Sequence, residues 1–215
     1  MTPYYEHAGI AIYHGDCREV LPQLEAQVII TDPVWPNVPR EKVVGWERPY
    51  ELFAEFCCAI PDSVARAVIE LRNDCDPRFL YPVPSRLKFL QVMWCQYVMP
   101  GYLGRVLGGN ECAYVFGEPI KSVEGRRVIP SVSPKAQPGD RPKNGHPMSR
   151  ALIHQLFIVN WCSDPDETIV DPFCGSGTTL RAAKNNGRKA IGIEIEECYC
   201  EIAAKRLSQE VFEFA

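Results

Sequence analysis

The chain has 215 residues, 46% hydrophobic and 23% charged, enough to bury one sizeable core and too few for two full domains with a linker. Its net charge of −4 argues against a protein that coats nucleic acid. No run approaches the roughly 18 apolar residues of a membrane-spanning helix, and the N-terminal MTPYYEHAGI lacks a basic-then-apolar signal, so a soluble, cytoplasmic domain is expected.

Apolar runs bounded by Gly, Pro and Asp predict strands near Ile10–Tyr13, Val28–Thr31, Ala67–Leu71, Leu90–Tyr97, Cys112–Phe116, Thr168–Asp171 and Lys189–Glu194. Helical patterns fall between them at Arg18–Glu25, Tyr50–Ile60, Met148–Trp161, Thr178–Asn186 and Glu196–Leu207, the last with Tyr199, Ile202, Ala203 and Leu207 on one face. This alternation predicts an α/β domain, residues 1–215, with a largely parallel sheet of seven strands. Two proline-rich stretches, Pro33–Pro49 and Gly117–Pro147, read as long loops. The second, counted from Lys121 to Arg150, holds seven cations against two carboxylates, a local +5 that leaves −9 elsewhere; it is either a solvated loop or a phosphate-binding surface. Several of the ten cysteines sit inside apolar stretches such as VMWCQYV, and there is no C-x-x-C, so reduced, mostly buried thiols and no structural zinc are expected.

The stretch TIVDPFCGSGTTLRAAKNNGRKAIGIEI is the most informative. A strand ends at Asp171, the turn Phe173–Gly177 follows, a helix begins near Thr178, and the next strand ends at Glu194, 23 residues after Asp171. Glycines let a ligand approach the backbone, and the helix start offers unpaired N–H groups. An acidic residue at the next strand tip sits where such folds bind ribose hydroxyls. Only Gly175-x-Gly177 of the dinucleotide pattern G-x-G-x-x-G is present, which disfavours a nicotinamide dehydrogenase and favours a ribose-bearing ligand without a pyrophosphate. An ordinary strand-to-helix turn is the plainer alternative.

DPFCGSGTT followed by IGIEIEECY resembles the S-adenosylmethionine site of the DNA amino-methyltransferases, which methylate N6 of adenine or N4 of cytosine. The resemblance implies a Rossmann-like methyltransferase fold with helices on both sheet faces. It implies cofactor contacts from Phe173, Cys174, Gly175, Ser176, Gly177 and Thr178, with Glu194 on the ribose hydroxyls and Asp171 at the methionine amino end. Upstream, Gly15-Asp16 through Leu21 is similar to the family's G-D-x-x-x-x-L segment, and Asp32-Pro33-Val34-Trp35 to its D-P-P-Y or D-P-P-W motif. By that likeness Asp16, with Cys17 beside it, reads the adenine of the cofactor, and Asp32 and the Pro33 carbonyl accept hydrogen bonds from the target amine. The order, catalytic loop before cofactor loop, matches the permuted class of these enzymes. There a segment like Gly145-His146-Pro147 covers the methionine end; a surface loop is the alternative for His146 and Pro147.

The chemistry suits these residue types. The lone pair of an exocyclic amine is conjugated into its ring, so two acceptors aimed at its hydrogens favour a pyramidal, nucleophilic nitrogen and take up positive charge. Direct in-line transfer needs no covalent intermediate, and Trp35 offers a face for an extruded base, with core packing as its weaker alternative. Val34 replaces the family's second proline, which leaves open a catalytically inactive relic that binds cofactor or DNA. By the same resemblance, aspartate at the first motif position points to adenine N6 before cytosine N4, whose methyltransferases more often carry serine there. The resemblance implies double-stranded DNA as partner and site-specific methylation of the restriction–modification kind. It points to the loop 117–147 for target contact through Arg126, Arg127, Lys135, Arg141 and Lys143, and to 36–49 as an active-site loop. Tyr102 and Arg105 border a target-base pocket, with core packing and an ion pair as the alternative for Arg105 and Arg78, and recognition loops this short suggest a homodimer.

Overall fold

The computed structural model describes residues 1–37, 43–99, 110–122, 128–137, 139–141 and 149–209, with the backbone of 102–103 and 106–107. In chain order the elements are β1 (Tyr5–His7), β2 (Ile10–His14), α1 (Cys17–Val20), β3 (Val28–Thr31), α2 (Pro49–Cys58), β4 (Arg66–Arg72) and β5 (Phe89–Cys95). There follow β6 (Tyr102–Leu103), β7 (Val106–Leu107), β8 (Glu111–Gly117), α3 (Leu152–Cys162), β9 (Thr168–Asp171), α4 (Thr178–Asn185), β10 (Lys189–Glu194) and α5 (Glu197–Leu207).

Eight strands form one sheet in the order β1-β2-β10-β9-β3-β4-β8-β5. The middle, from β2 to β4, pairs in parallel, and both flanks pair antiparallel. The central strands are continuous apolar runs because both their faces are covered. Alternate residues of one strand then enter different cores: Val28, Ile30 and Ile169 join α3, α4 and α5, whereas Ile29 and Val170 join α1, α2 and the turn at Phe79–Leu80. Helices therefore pack on both faces, as expected.

Eight strands rather than seven make the sheet. The addition is β1, three residues held on the edge by pairing with β2, too short for an apolar pattern. β6 and β7 pair apart from the main sheet. The helix expected over Arg18–Glu25 stops at Val20 and continues as a 3-10 turn, Leu21–Gln23, where Pro22 lacks the N–H that would extend it. The helix expected from Met148 begins at Leu152, because Ala151 is extended, with φ −68° and ψ 130°. The stretch 117–147 is not all loop. Trp94 N donates to Ser131 O at 2.8 Å, Ser133 N to Trp94 O at 2.9 Å and Ala136 N to Gln96 O at 2.8 Å, so residues 131–136 cover the exposed edge of β5. All ten cysteines are free and eight are buried. Among the described residues no helix is long and apolar enough to cross a membrane.

From β9 the chain crosses through α4 to β10 on one side; from β3 it crosses through α2 to β4 on the other. Neighbours whose connections diverge leave a crevice at their carboxyl ends, the usual ligand site of open α/β sheets. Here those ends are Asp171 and Thr31, joined by Thr31 Oγ1 donating to Asp171 Oδ1 at 2.8 Å.

Candidate active site at the strand tips

Beyond β9, the turn Phe173–Gly177 folds back under β10. Gly175 (φ 49°) and Gly177 (φ 72°, ψ 35°) adopt the left-handed conformation that favours glycine, and a Cβ on Gly177 would stand 3.0 Å from Ala203 Cβ. The turn is pinned from two sides. Ser176 Oγ lies 3.0 Å from Ser149 Oγ, and Arg206 Nη1 donates to Thr178 Oγ1 at 2.9 Å and to Ser176 O at 3.3 Å. At the tip of β10, Glu194 accepts from Gly175 N through Oε2 and from Glu196 N through Oε1, both at 2.8 Å. Burial raises the Glu194 carboxyl despite these bonds. Burial likewise lifts Asp171 to about 6, against hydrogen bonds from Thr179, Thr31 and Phe173 N. Cys174 is buried, and burial drives its thiol well up.

On the other side of β10, Asp16 caps α1 by accepting from Arg18 N at 2.9 Å. The Arg18 guanidinium also grips both Asp16 oxygens and reaches Glu55, which Arg48 meets at 2.7 Å. These bonds lower the Asp16 pKa. Cys17 is buried beside Val20, and burial pushes its thiol up to about 12, so it packs rather than reacts.

At the tip of β3, Asp32 accepts from three donors: Trp35 Nε1 at 2.7 Å and Arg150 Nη2 at 2.5 Å on Oδ1, and Arg150 Nε at 2.6 Å on Oδ2. Trp35 is 3% exposed and belongs to the core beneath α2, with the guanidinium carbons of Arg150 and Arg72 5.3 and 5.9 Å from its ring centre. The free stacking face expected of Trp35 is thus corrected: core packing prevails, and the indole N–H fixes Asp32. Arg150 Nη1 reaches Glu111 Oε1 at 2.5 Å. Burial works against the charge of Arg150, but Asp32 and Glu111 outweigh it and raise its pKa.

Glu111 also accepts from Tyr97 OH at 2.8 Å and Arg141 Nη2 at 2.9 Å, with His154 Nδ1 3.7 Å away. Burial would raise its carboxyl; Arg150, His154 and Arg141 overcome this and hold it at about 2. Glu70 on β4 is 1% exposed, and Gln155 Nε2 donates to its two oxygens at 2.7 and 2.8 Å. Burial lifts this carboxyl to about 8.

Asp32, Arg150, Glu70, Asp171 and Glu194 share one cavity of about 490 Å³, with Glu111 and Gln155 behind its wall. Asp16, Cys17, Asp32, Pro33, Trp35, Asp171, Glu194, Thr178 and the turn from Phe173 to Ser176 line it; Gly177 turns away against α5. His146, Pro147, Arg126, Arg127 and Lys143, and the side chains of Tyr102 and Arg105, lie outside the described residues. Lys135 is exposed. The cationic reading of 121–150 is reduced: Lys121 pairs with Asp166 at 3.0 Å, Arg141 with Glu111, and Arg150 is buried. Arg78 is exposed and pairs with Asp76 in its own turn, so it is neither core nor part of the cavity wall. Arg150, Glu70, Glu111, Gln155 and Ser149 are the site residues that sequence reasoning missed. A charge inside the apolar run Val68-Ile69-Glu70-Leu71 was the available signal.

The profile of the DNA methylase family of N6 and N4 methyltransferases matches residues 85–205. The chain is 40% identical over 84 residues to the type II methyltransferase M.ScaI of Streptomyces caespitosus, a match over 38% of this chain and 27% of that protein. It covers less than half the length of the curated relatives it matches. The crystal structure of the M1.HpyAVI–SAM complex superposes with a TM-score of 0.69 at 25% identity, over 93% of this chain and all of that one. The cytosine-N4-specific PvuII DNA methyltransferase has the same fold, with a TM-score of 0.70 at 17% identity over 98% of this chain and 90% of that one.

Proposed function

Because this chain belongs to the N6/N4 DNA methylase family, we propose that it methylates an exocyclic amine of double-stranded DNA, N6 of adenine before N4 of cytosine, using S-adenosylmethionine. That cofactor, when bound, supplies a methyl group on a cationic sulfur. The observation that carries the reading is the crevice itself: Glu194 and the glycine turn on one side and Asp32 on the other line a single cavity at the switch point of the sheet.

The donor count supports the cofactor. A carboxylate offers about four acceptor sites. Backbone N–H groups hold both Glu194 oxygens from the protein side, and the remaining acceptor capacity faces the cavity, where ribose hydroxyls would donate to it. Asp171 faces the same space and would hold the amino end of the methionine part. Asp16 is occupied by Arg18, so its contact with an adenine amine requires Arg18 to lean on Glu55 instead.

The same count supports the target side. Three of Asp32's sites are filled, and the fourth, on Oδ2, takes one amine hydrogen. The Pro33 carbonyl takes the other; among the described residues no backbone hydrogen bond reaches it. Arg150 and Trp35 hold Asp32 fixed before substrate arrives, the preorganisation that makes such acceptors effective. The base enters the cavity extruded from the duplex. In this reading the loops 117–147 and 36–49 grip DNA and border the target, a second copy completes the grip, and the enzyme works in the cytoplasm.

The test is transfer of tritiated methyl from S-adenosylmethionine to unmodified duplex DNA, with chromatography of the digested nucleosides. Label in N6-methyladenine is expected. Label in N4-methylcytosine keeps the mechanism and changes the base. Cofactor binding without label overturns the catalytic reading in favour of a relic, as Val34 suggests.

A further inference from the structure

We infer that Glu70 is a target-recognition residue: it faces the extruded base as a neutral carboxylic acid and donates its O–H to the ring nitrogen beside the amine. The inference rests on the proposed methyl transfer to an amino base.

Placement comes first. β3 and β4 pair in parallel up to Thr31 and Ile69, so Asp32 and Glu70 are the next residues on adjacent strands. Both line the cavity. An acceptor for the amine and a donor for its neighbour therefore stand side by side.

Charge gives the protonation state. Three carboxylates, Asp32, Glu70 and Glu111, crowd around two guanidiniums, Arg150 and Arg141. Arg150 binds Asp32 and Glu111, and Arg141 binds Glu111; Glu70 takes a described hydrogen bond only from the amide of Gln155 and shares the field of Arg150, which favours its charged form, with Asp32 and Glu111, which oppose it. Arg150 is already paired with two carboxylates, and its pull on a third, fully buried one is outweighed by burial, so a proton neutralises Glu70. Burial lifts the Glu70 carboxyl to about 8, in the same direction. Gln155 offers Glu70 its Nε2, while its Oε1 is met by Thr179 Oγ1 at 3.4 Å. With Gln155 Nε2 donating to the carbonyl oxygen of the protonated acid, its O–H is left to a group in the cavity.

Adenine and cytosine share the edge this pair fits: an amine carbon flanked by a ring nitrogen with an in-plane lone pair. Guanine and thymine carry N–H at the equivalent ring position and would set two donors against each other. Glu70 thus selects amino bases from oxo bases, independently of the acceptors that activate the amine.

The experiment is a cycle on a duplex whose methylated base has first been identified from the labelled product. Wild type and Glu70→Ala are each assayed on the natural target and on its analogue with C–H in place of that ring nitrogen, 1-deazaadenine or 3-deazacytosine. The deaza base is expected to lower kcat/KM about 10–100-fold in wild type and less than about threefold in E70A; the variant also cancels any intrinsic change in amine reactivity. An equal deaza penalty in both enzymes overturns the inference. If E70A does not fold, Glu70→Gln decides. In wild type kcat/KM for DNA falls as pH rises from 7 to 9, and in E70Q, which cannot lose the proton, this fall disappears; an unchanged pH slope overturns the inference. Absence of label from every base removes the methyl-transfer reading, and this inference with it, whereas label without coupling removes only this one.

Discussion

Arg150 donates to both carboxylate oxygens of Asp32, from Nε at 2.6 Å and Nη2 at 2.5 Å, while its Nη1 holds Glu111. The pair joins the segment before α3 to the tip of β3. Removing one member of a buried pair strands the other's charge, at a cost of about 3–5 kcal/mol. Arg150→Met is therefore expected to lose unfolding free energy in that range, read as a lower urea midpoint. Arg150→Lys, which keeps the charge but not the fork, should fall between it and wild type. An unchanged midpoint in R150M would mean that the network contributes nothing to the fold.

Glu194 tests the cofactor side separately. Glu194→Ala removes the acceptor proposed for the ribose hydroxyls and leaves Gly175 N without its partner. Calorimetric titration with S-adenosylmethionine should give a Kd about 10–100-fold weaker, the scale of a lost hydrogen bond to a charged group. Affinity within twofold of wild type would remove Glu194 from the cofactor site.

Gly192 faces the back of the glycine turn. A Cβ there would stand 2.6 Å from Leu180 Cδ1 and 2.8 and 2.9 Å from Cys174 Sγ and Cβ. Gly192→Ala overpacks this contact, so a loss of about 1–3 kcal/mol is expected. In a chain of this size each kcal/mol lowers the melting midpoint by about 2–4 °C. A melting temperature equal to wild type would show that the turn gives way freely.

Asp171 gives a pH signature. Its folded pKa is raised to about 6 from an ordinary 3.8, so the folded chain holds the proton more tightly than the unfolded one. The stability linked to it is fully present below about pH 4 and is lost as pH rises through about 6. Asp171→Asn cannot ionise. Its stability relative to wild type should therefore climb between pH 4 and 7, by up to about 1.4 kcal/mol per pH unit, and its melting temperature relative to wild type should climb with it. A difference that stays flat across this window would contradict the burial of the charge.

The core of the fold was legible because it is periodic. β3, β9 and β10 are apolar runs ending in Thr31, Asp171 and Glu194, and the turn between Asp171 and Thr178 announces itself through two glycines that need positive φ. The cofactor half of the candidate site was legible for the same reason, being local in sequence. The target half was not. Arg150 meets Asp32 across 118 residues and Gln155 meets Glu70 across 85, pairings that no spacing rule connects. Trp35 was misjudged because prolines around it suggest an exposed loop, whereas α2 folds over it and buries it. β1 escaped notice because three residues carry no period and are held only by β2.

In the proposed mechanism Asp32 serves the target amine and not the cofactor. The most direct measurement pairs single-turnover methyl transfer to DNA with S-adenosylmethionine affinity, in wild type and Asp32→Ala. A loss of transfer of about 100–1,000-fold or more is expected, with cofactor Kd within about threefold. A variant that still transfers at a comparable rate, or that loses the cofactor along with the activity, would contradict it.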